Sequence, residues 1–224
     1  MVHLEGDVQA AAAEVFGTTA RGTEEAWQSV WVVPEPYTVS LDTLAARKKD
    51  SATILCVECT IRTEDGNTAG DMTRSFRRDD EGKLVAEHAH LDVDDEHKGR
   101  GIAGSLTQSC IGNYREMGVD RIELLAIFDG TTVWADFGFS WPYAKGLKYK
   151  ACFTRFLTKI NVPDELVDTL TDPALSGAFD VYDVKFNDQS IGKDFLKSLR
   201  GWRGQLLLHD DDPGFKRAKE RLRL

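Results

Sequence analysis

The chain has 224 residues, 42% hydrophobic and 29% charged, an ordinary globular balance in a chain long enough for a sizeable core. Its formal net charge of -9 argues against a nucleic-acid-binding role and favours a cationic or amine partner. No apolar run approaches the roughly 20 residues of a membrane span, and the start MVHLEGDVQ lacks the basic and apolar regions of a secretory signal, so a cytoplasmic protein is expected.

In chain order, Asp7 is placed to cap a short Ala-rich helix, Val8 to Phe16, with Gly17 as its stop. Thr23 predicts the start of a second helix that sets Trp27 and Trp31 one turn apart, as core or beside an acceptor pocket. Pro34-Glu35-Pro36 ends this region. Tyr37 to Leu41 reads as a strand and Asp42 to Lys49 as a short helix. Ala52–Arg62, Asp71–Arg78 and Leu84–Val93 read as three strands of an antiparallel meander, joined by the turns Glu64-Asp-Gly-Asn67 and Asp79-Asp-Glu-Gly82. Cys56 and Cys59 lie on the first of these strands, three residues apart and so on opposite faces. That spacing suits neither a shared metal nor a disulfide, and no second Cys/His pair completes a zinc site.

The third strand runs into Lys98-Gly99-Arg100-Gly101-Ile102-Ala103-Gly104, and a helix from Ile102 to Met117 follows. Its apolar residues Ile102, Leu106, Cys110 and Tyr114 recur every fourth position, and Gly118 is its C-cap. A strand, a Gly-rich turn and a helix N-terminus together make an anion site: backbone N–H groups point outward, the helix dipole favours negative charge, and glycine permits close approach. Gly99-x-Gly101-x-x-Gly104 has the dinucleotide spacing, but the acidic residue about 20 positions on is poorly matched by Asp120 or Glu123, and no Walker loop occurs. On these residues alone a merely structural turn remains open.

Arg121 to Phe128 reads as a strand parallel to Leu84–Val93, reached by a right-handed crossover. Asp129-Gly130 opens a short helix to Phe137, Lys145 to Ile160 is a longer one, and Val162-Pro-Asp-Glu starts another. Gly177 to Asn187 is a strand or irregular, Ile191 to Leu199 helical, Trp202 to His209 a strand, and Gly214 to Leu224 a final basic helix. Cys110 and Cys152 fall on helices.

The run Leu91-x-Val93, four residues, then Lys98-Gly99-Arg100-Gly101-Ile102-Ala103 resembles the coenzyme-A motif of the GNAT acyltransferase superfamily. Trp134-Ala-Asp-Phe-Gly138-Phe139 resembles the Y-E-K-L-G-F ending of that family's next helix. The resemblance covers roughly Ala52 to Trp141. It implies an α/β (α+β) GNAT fold: a central mixed, largely antiparallel sheet with a splayed parallel strand pair, helices on both faces, and here a helical C-terminal extension. The expected organisation is a single domain over 1–224, its core at about 37–142. N-terminal helices occupy 1–36, an insertion or extension 143–200, and a closing strand and helix 201–224; the insertion would shape an acceptor pocket or a homodimer contact.

By the same resemblance, acetyl-CoA or another acyl-CoA is the co-substrate, with no metal. The main chain of Leu91 and Val93 would bind its pantetheine arm. The amides from Lys98 through Gly99, Arg100, Gly101, Ile102 and Ala103 to Gly104 would bind its pyrophosphate. Lys98 stands where Arg or Gln is commoner, and solvated surface charges are the alternative for Lys98 and Arg100. The implied activity is N-acyltransfer to a primary amine of a small molecule, peptide or protein. A non-catalytic coenzyme-A-binding module and a longer-chain acyltransferase acting on a peptide are the alternatives.

The transfer needs a proton acceptor near the cleft. Glu87 coincides with the catalytic glutamate of the family's histone-acetylating branch, and His88 and His90 are the other candidates. Unbroken alternation groups Glu87, Ala89, Leu91 and Val93 on one face and His88, His90 and Asp92 on the other. The family's acidic tyrosine falls on Trp134, which cannot donate a proton in that role; Tyr143 and Tyr149 are nearby in sequence and could substitute, though each is more naturally a packed aromatic.

Overall fold

The structure, a computed structural model, describes residues 2–224. The chain forms two compact units: one runs to Glu123 and includes Leu224, the other spans Leu124–Arg223.

In the first unit a short strand β1 (His3–Glu5) precedes α1 (Val8–Phe16), where Asp7 Oδ1 accepts from the Ala10 N–H and Gly17 closes the helix in the left-handed region, as expected. Strands β2 (Thr38–Lys49), β3 (Ala52–Arg62), β4 (Thr68–Arg78) and β5 (Leu84–Val93) follow as an antiparallel meander, and β1 lies parallel to β2. The sheet is therefore mixed and largely antiparallel, the expected class.

Two expectations fail here. Asp42 to Lys49 is strand, not helix. A register shift between Leu41 and Thr43 leaves the Asp42 backbone without a paired residue on β3, so Leu41 and Leu44 fall at helical spacing on a strand that pairs on both sides of the shift. The helix predicted from Thr23 does not form: a short 3-10 turn, Thr19–Gly22, ends just before it, and non-helical turns follow. Trp27 and Trp31 still meet, stacked at 5.4 Å and buried, and Trp27 and Phe16 both reach Phe76 of β4. The tryptophans are core.

Helix α2 (Ile102–Glu116) lies over the same face of the sheet, its predicted stripe of Ile102, Leu106, Cys110 and Tyr114 wholly buried and Tyr114 edge-on to Phe76 at 5.3 Å. The N-terminal loop laces onto it: Asn113 Nδ2 donates to the Val30 carbonyl at 3.0 Å, and the Val32 N–H to Ser109 Oγ at 2.9 Å. Strand β6 (Arg121–Ala126) begins beside the start of β5. Asp120 N–H donates to the Leu84 carbonyl and the Leu84 N–H to Asp120 Oδ2, each at 2.8 Å.

The second unit holds α3 (Gly130–Asp136), α4 (Gly146–Lys159), α5 (Asp164–Thr171), α6 (Pro173–Ser176), α7 (Ala178–Tyr182), α8 (Ile191–Ser198), β7 (Trp202–Leu207) and α9 (Pro213–Leu222). Its core is aromatic. Trp141 stacks on Tyr149 at 4.1 Å and donates its indole N–H to the Ala174 carbonyl, while Trp202 does the same to the Thr131 carbonyl. Part of Gly177 to Asn187, left open between strand and irregular, is the helix α7, pressed so closely on α8 that a Cβ on Gly192 would lie 1.7 Å from the Val181 carbonyl oxygen. No helix among the described residues is long and apolar enough to cross a membrane.

Candidate active site

Three candidate bases lie on β5, and a bulge sorts them. Thr73 pairs with His90 and Arg74 with His88, so Ala89 has no partner on β4. The extra residue shifts the alternation by one and corrects the grouping expected from the sequence. Glu87, opposite Ser75, now shares a face with His90, opposite Thr73, and Asp92, opposite Asp71. His88, Leu91 and Val93 take the face of Arg74, Met72 and Phe76, under α1 and α2.

Chemistry follows this division. His88 is buried edge-on to Tyr114, and burial together with the nearby Arg74 charge holds it well below the usual imidazole range, so it stays neutral. Glu87 is half-buried and accepts from Ser75 Oγ at 3.4 Å. His90 is exposed, with Nε2 3.2 Å from Asp71 Oδ2. Cys56 faces the Glu87 side and Cys59 the helix side, opposite faces as expected, and burial pushes the Cys59 thiol up to about 12. Among the described residues no group of three or more His, Cys, Asp or Glu is placed to hold a metal.

The backbone of β5 turns the same way. Asp94 N–H donates to the Ala69 carbonyl at 3.0 Å, making that position a hydrogen-bonded pair. Antiparallel pairs alternate, so Asp92 and His90 also bond across to β4, while Leu91 and Val93 direct N–H and C=O away from it. Those are the two residues the coenzyme resemblance singles out.

Beyond Val93, a 3-10 turn (Asp95–His97) is tied to the start of β2 by a 3.1 Å contact between Tyr37 Oη and His97 Nδ1. Gly99 and Gly101 have φ of 75° and 81°, left-handed values that disfavour other residues, and a Cβ on either would meet nothing within 4 Å. Gly101 is the N-cap of α2 and offers no side chain to it. The first intrahelical bond runs from Ser105 N–H to the Gly101 carbonyl, so the amides of Ile102, Ala103 and Gly104 precede the helix ladder and meet no capping side chain. These N–H groups stand at the positive end of the helix dipole. Lys98 Nζ lies 2.6 Å from Asp95 Oδ1, so its charge is shared with that carboxylate; Arg100 is exposed. A cleft of about 670 Å³ on the 3-10 turn is lined by Asp65, Asp94, Asp95 and Glu96, whose carboxylates disfavour an anion there.

Sequence reasoning missed Arg74. It is 1% exposed, and its Nη1 donates to the Thr73 carbonyl at 3.0 Å and to the His90 carbonyl. The available signal was parity: Arg74 alternates with Met72 and Phe76 on an apolar face.

In the second unit Trp134 packs against Phe137 and Phe139. Tyr149 is held in its stack on Trp141, where burial raises its pKa, whereas Tyr143 is 84% exposed rather than packed.

No protein-family model matches the chain, and no curated protein matches it. Among solved structures it is similar to a candidate acyl-CoA N-acyltransferase from Klebsiella pneumoniae subsp. pneumoniae MGH 78578, with 18% identity, 33% of this chain and 48% of that one covered, and a TM-score of 0.27. It is also similar to the GCN5-related glucosamine N-acetyltransferase region of a fungal multi-domain GH3 β-N-acetylglucosaminidase, with 20% identity, 52% of this chain and 12% of that one covered, and a TM-score of 0.29. A third is nourseothricin acetyltransferase, with 11% identity, 84% of this chain and 95% of that one covered, and a TM-score of 0.31. The chain thus spans less than half the length of the first of these structures and about an eighth of the second.

Proposed function

We propose that this chain is an N-acyltransferase of GNAT type that moves an acetyl group from acetyl-CoA to a primary amine of a small molecule, peptide or protein. One juxtaposition carries the reading: Leu91 and Val93 turn their main-chain groups away from β4, and the strand that bears them leads to an α2 N-terminus without a capping side chain. Leu91 and Val93 would hold the pantetheine arm by their backbone. The amides from Lys98 to Gly104 would hold the pyrophosphate, with Arg100 adding charge and Lys98 doing so by exchanging Asp95 for phosphate. When bound, the coenzyme supplies an acyl group activated as a thioester.

The chain's own part is to hold the amine and accept its proton. Glu87 is the proposed base, because it is half-buried and lies on the face away from α1 and α2. A second reading gives that role to His90 and is favoured by the Asp71 carboxylate beside its ring. Trp134 supplies no proton to the leaving thiolate, and proton donation is left to solvent or to the acceptor complex.

Thermal melting with acetyl-CoA tests the binding half. At 100 times its dissociation constant a ligand adds about 2.7 kcal/mol of stability, and no rise at saturating coenzyme sinks the assignment. Thiol release followed across a panel of amines tests the transfer half. Stabilisation without release from any amine leaves a coenzyme-binding module instead.

A further inference from the structure

Arg74 is a charged side chain in the core of the first unit, 1% exposed, and among the described residues no carboxylate lies within hydrogen-bonding distance of it. Around it stand His88, Cys110, Tyr114 and Cys59, none of them an anion at neutral pH. A buried guanidinium in that company is destabilising relative to an apolar side chain of similar volume. Its contacts show what offsets this. Nη1 donates to two carbonyls, those of Thr73 on β4 and His90 on β5, and these residues form the first pair after the register shift. The guanidinium therefore closes the ladder where Ala89 interrupts it.

A strand whose register slips by one residue turns every following side chain to the other face and every following peptide group to the other edge. Without the bulge His90 would leave the face of Glu87, and Leu91 and Val93 would direct their N–H and C=O groups into β4. We infer that Arg74 is a positioning residue: its two hydrogen bonds hold the β5 bulge that sets Glu87 and His90 on one face and turns the Leu91 and Val93 main chain outward for the coenzyme. Its coenzyme arm rests on the acyltransferase reading above; its backbone arm does not.

The experiment uses full-length Arg74→Met, which keeps the bulk without the donors, beside Arg74→Lys, which keeps a donor. Amide hydrogen exchange is measured over Ala89 to Val93 and, as a control, over β2 and β3, and acetyl-CoA affinity is measured by calorimetry. The expected result for Arg74→Met is exchange over Ala89–Val93 faster by tenfold or more, control strands unchanged, and acetyl-CoA affinity lowered by tenfold or more. Arg74→Lys recovers part of both. Unchanged exchange at Ala89–Val93 in folded Arg74→Met overturns the proposal, and so does an equal acceleration in every strand, which would mark a merely structural arginine. If Arg74→Met does not fold, Arg74→Lys decides by the same segment-specific exchange. If the wild type binds no acetyl-CoA, the acyltransferase reading fails, and the exchange result still decides the role of Arg74.

Discussion

Asp71 Oδ2 and His90 Nε2 lie 3.2 Å apart across β4 and β5, two residues out of direct register, since His90 pairs with Thr73 and Asp71 with Asp92. A carboxylate at Nε2 favours the tautomer with its proton there and leaves Nδ1 as an acceptor, the form a general base needs. Glu87 shares that face, so the two candidates separate by substitution. Glu87→Gln is expected to lower kcat by about 100-fold or more, the usual contribution of a positioned base, with acetyl-CoA affinity unchanged. His90→Gln and Asp71→Asn are expected to stay within about tenfold of wild type. The reverse order in steady-state rates transfers the role to His90.

His88 predicts a pH signature in stability rather than rate. Burial and the Arg74 charge lower its pKa in the folded state, below the roughly 6.5 of an unfolded imidazole. As pH falls through that value, the unfolded chain takes up a proton that the folded chain does not. Stability then declines by up to about 1.4 kcal/mol per pH unit until the folded pKa is reached. His88→Gln removes this contribution, so its denaturant-derived stability should fall less steeply than wild type between about pH 7 and pH 5.5. Parallel slopes would refute the burial argument.

Elements whose pattern survives in the backbone were legible before any coordinates. The bounds of β3 and β5 are where expected, from their β-rich runs between turn residues, and so is the four-residue stripe of α2, which simple periodicity decides. What was misread has local physical causes. The unpaired Asp42 places two leucines of a strand at helical spacing, and β1 is three exposed residues with no pattern to detect. At the site, the Gly-rich loop was legible as a turn into a helix N-terminus, since Gly99 and Gly101 take left-handed conformations. The bulge at Ala89 was not: neither glycine nor proline marks it, and the arginine that spans it sits on the neighbouring strand.

Gly101 separates backbone conformation from ligand access. A non-glycine residue at its φ of 81° is strained by about 1–2 kcal/mol, yet a Cβ there meets nothing within 4 Å, so substituted chains should fold. Gly101→Ala is expected to melt slightly lower than wild type and to keep measurable coenzyme binding. Gly101→Glu should fold comparably and lose acetyl-CoA stabilisation entirely, because a carboxylate would then stand at the anion-binding amides. If melting of Gly101→Glu with acetyl-CoA shows the wild-type rise, the pyrophosphate is not held there.

Asp79 ties the β4–β5 turn to the start of β6. Its Oδ1 accepts from the Glu81 and Lys83 N–H groups and its Oδ2 from Arg121 Nη1 at 2.6 Å, while Arg121 Nε also reaches Glu123 at 2.8 Å. Burial alone would raise its pKa. The Arg121 hydrogen bond, the Lys83 and Glu81 amides and the Arg121 charge together outweigh that and lower it. A carboxylate with a lowered folded pKa contributes stability that is fully present above the unfolded value, about 3.9, and is lost as pH falls through the folded one. Asp79→Ala should therefore lose about 1.5–3 kcal/mol at neutral pH, the range for hydrogen bonds to a charged group. The gap between mutant and wild type should narrow as both are titrated below about pH 3.9, the unfolded value, and on through the lower folded one. A gap of the same size at both pH values would mean that the turn is held by its backbone bonds, Gly82 N–H to the Asp79 carbonyl and Asp79 N–H to the Lys83 carbonyl, and not by the charge of Asp79.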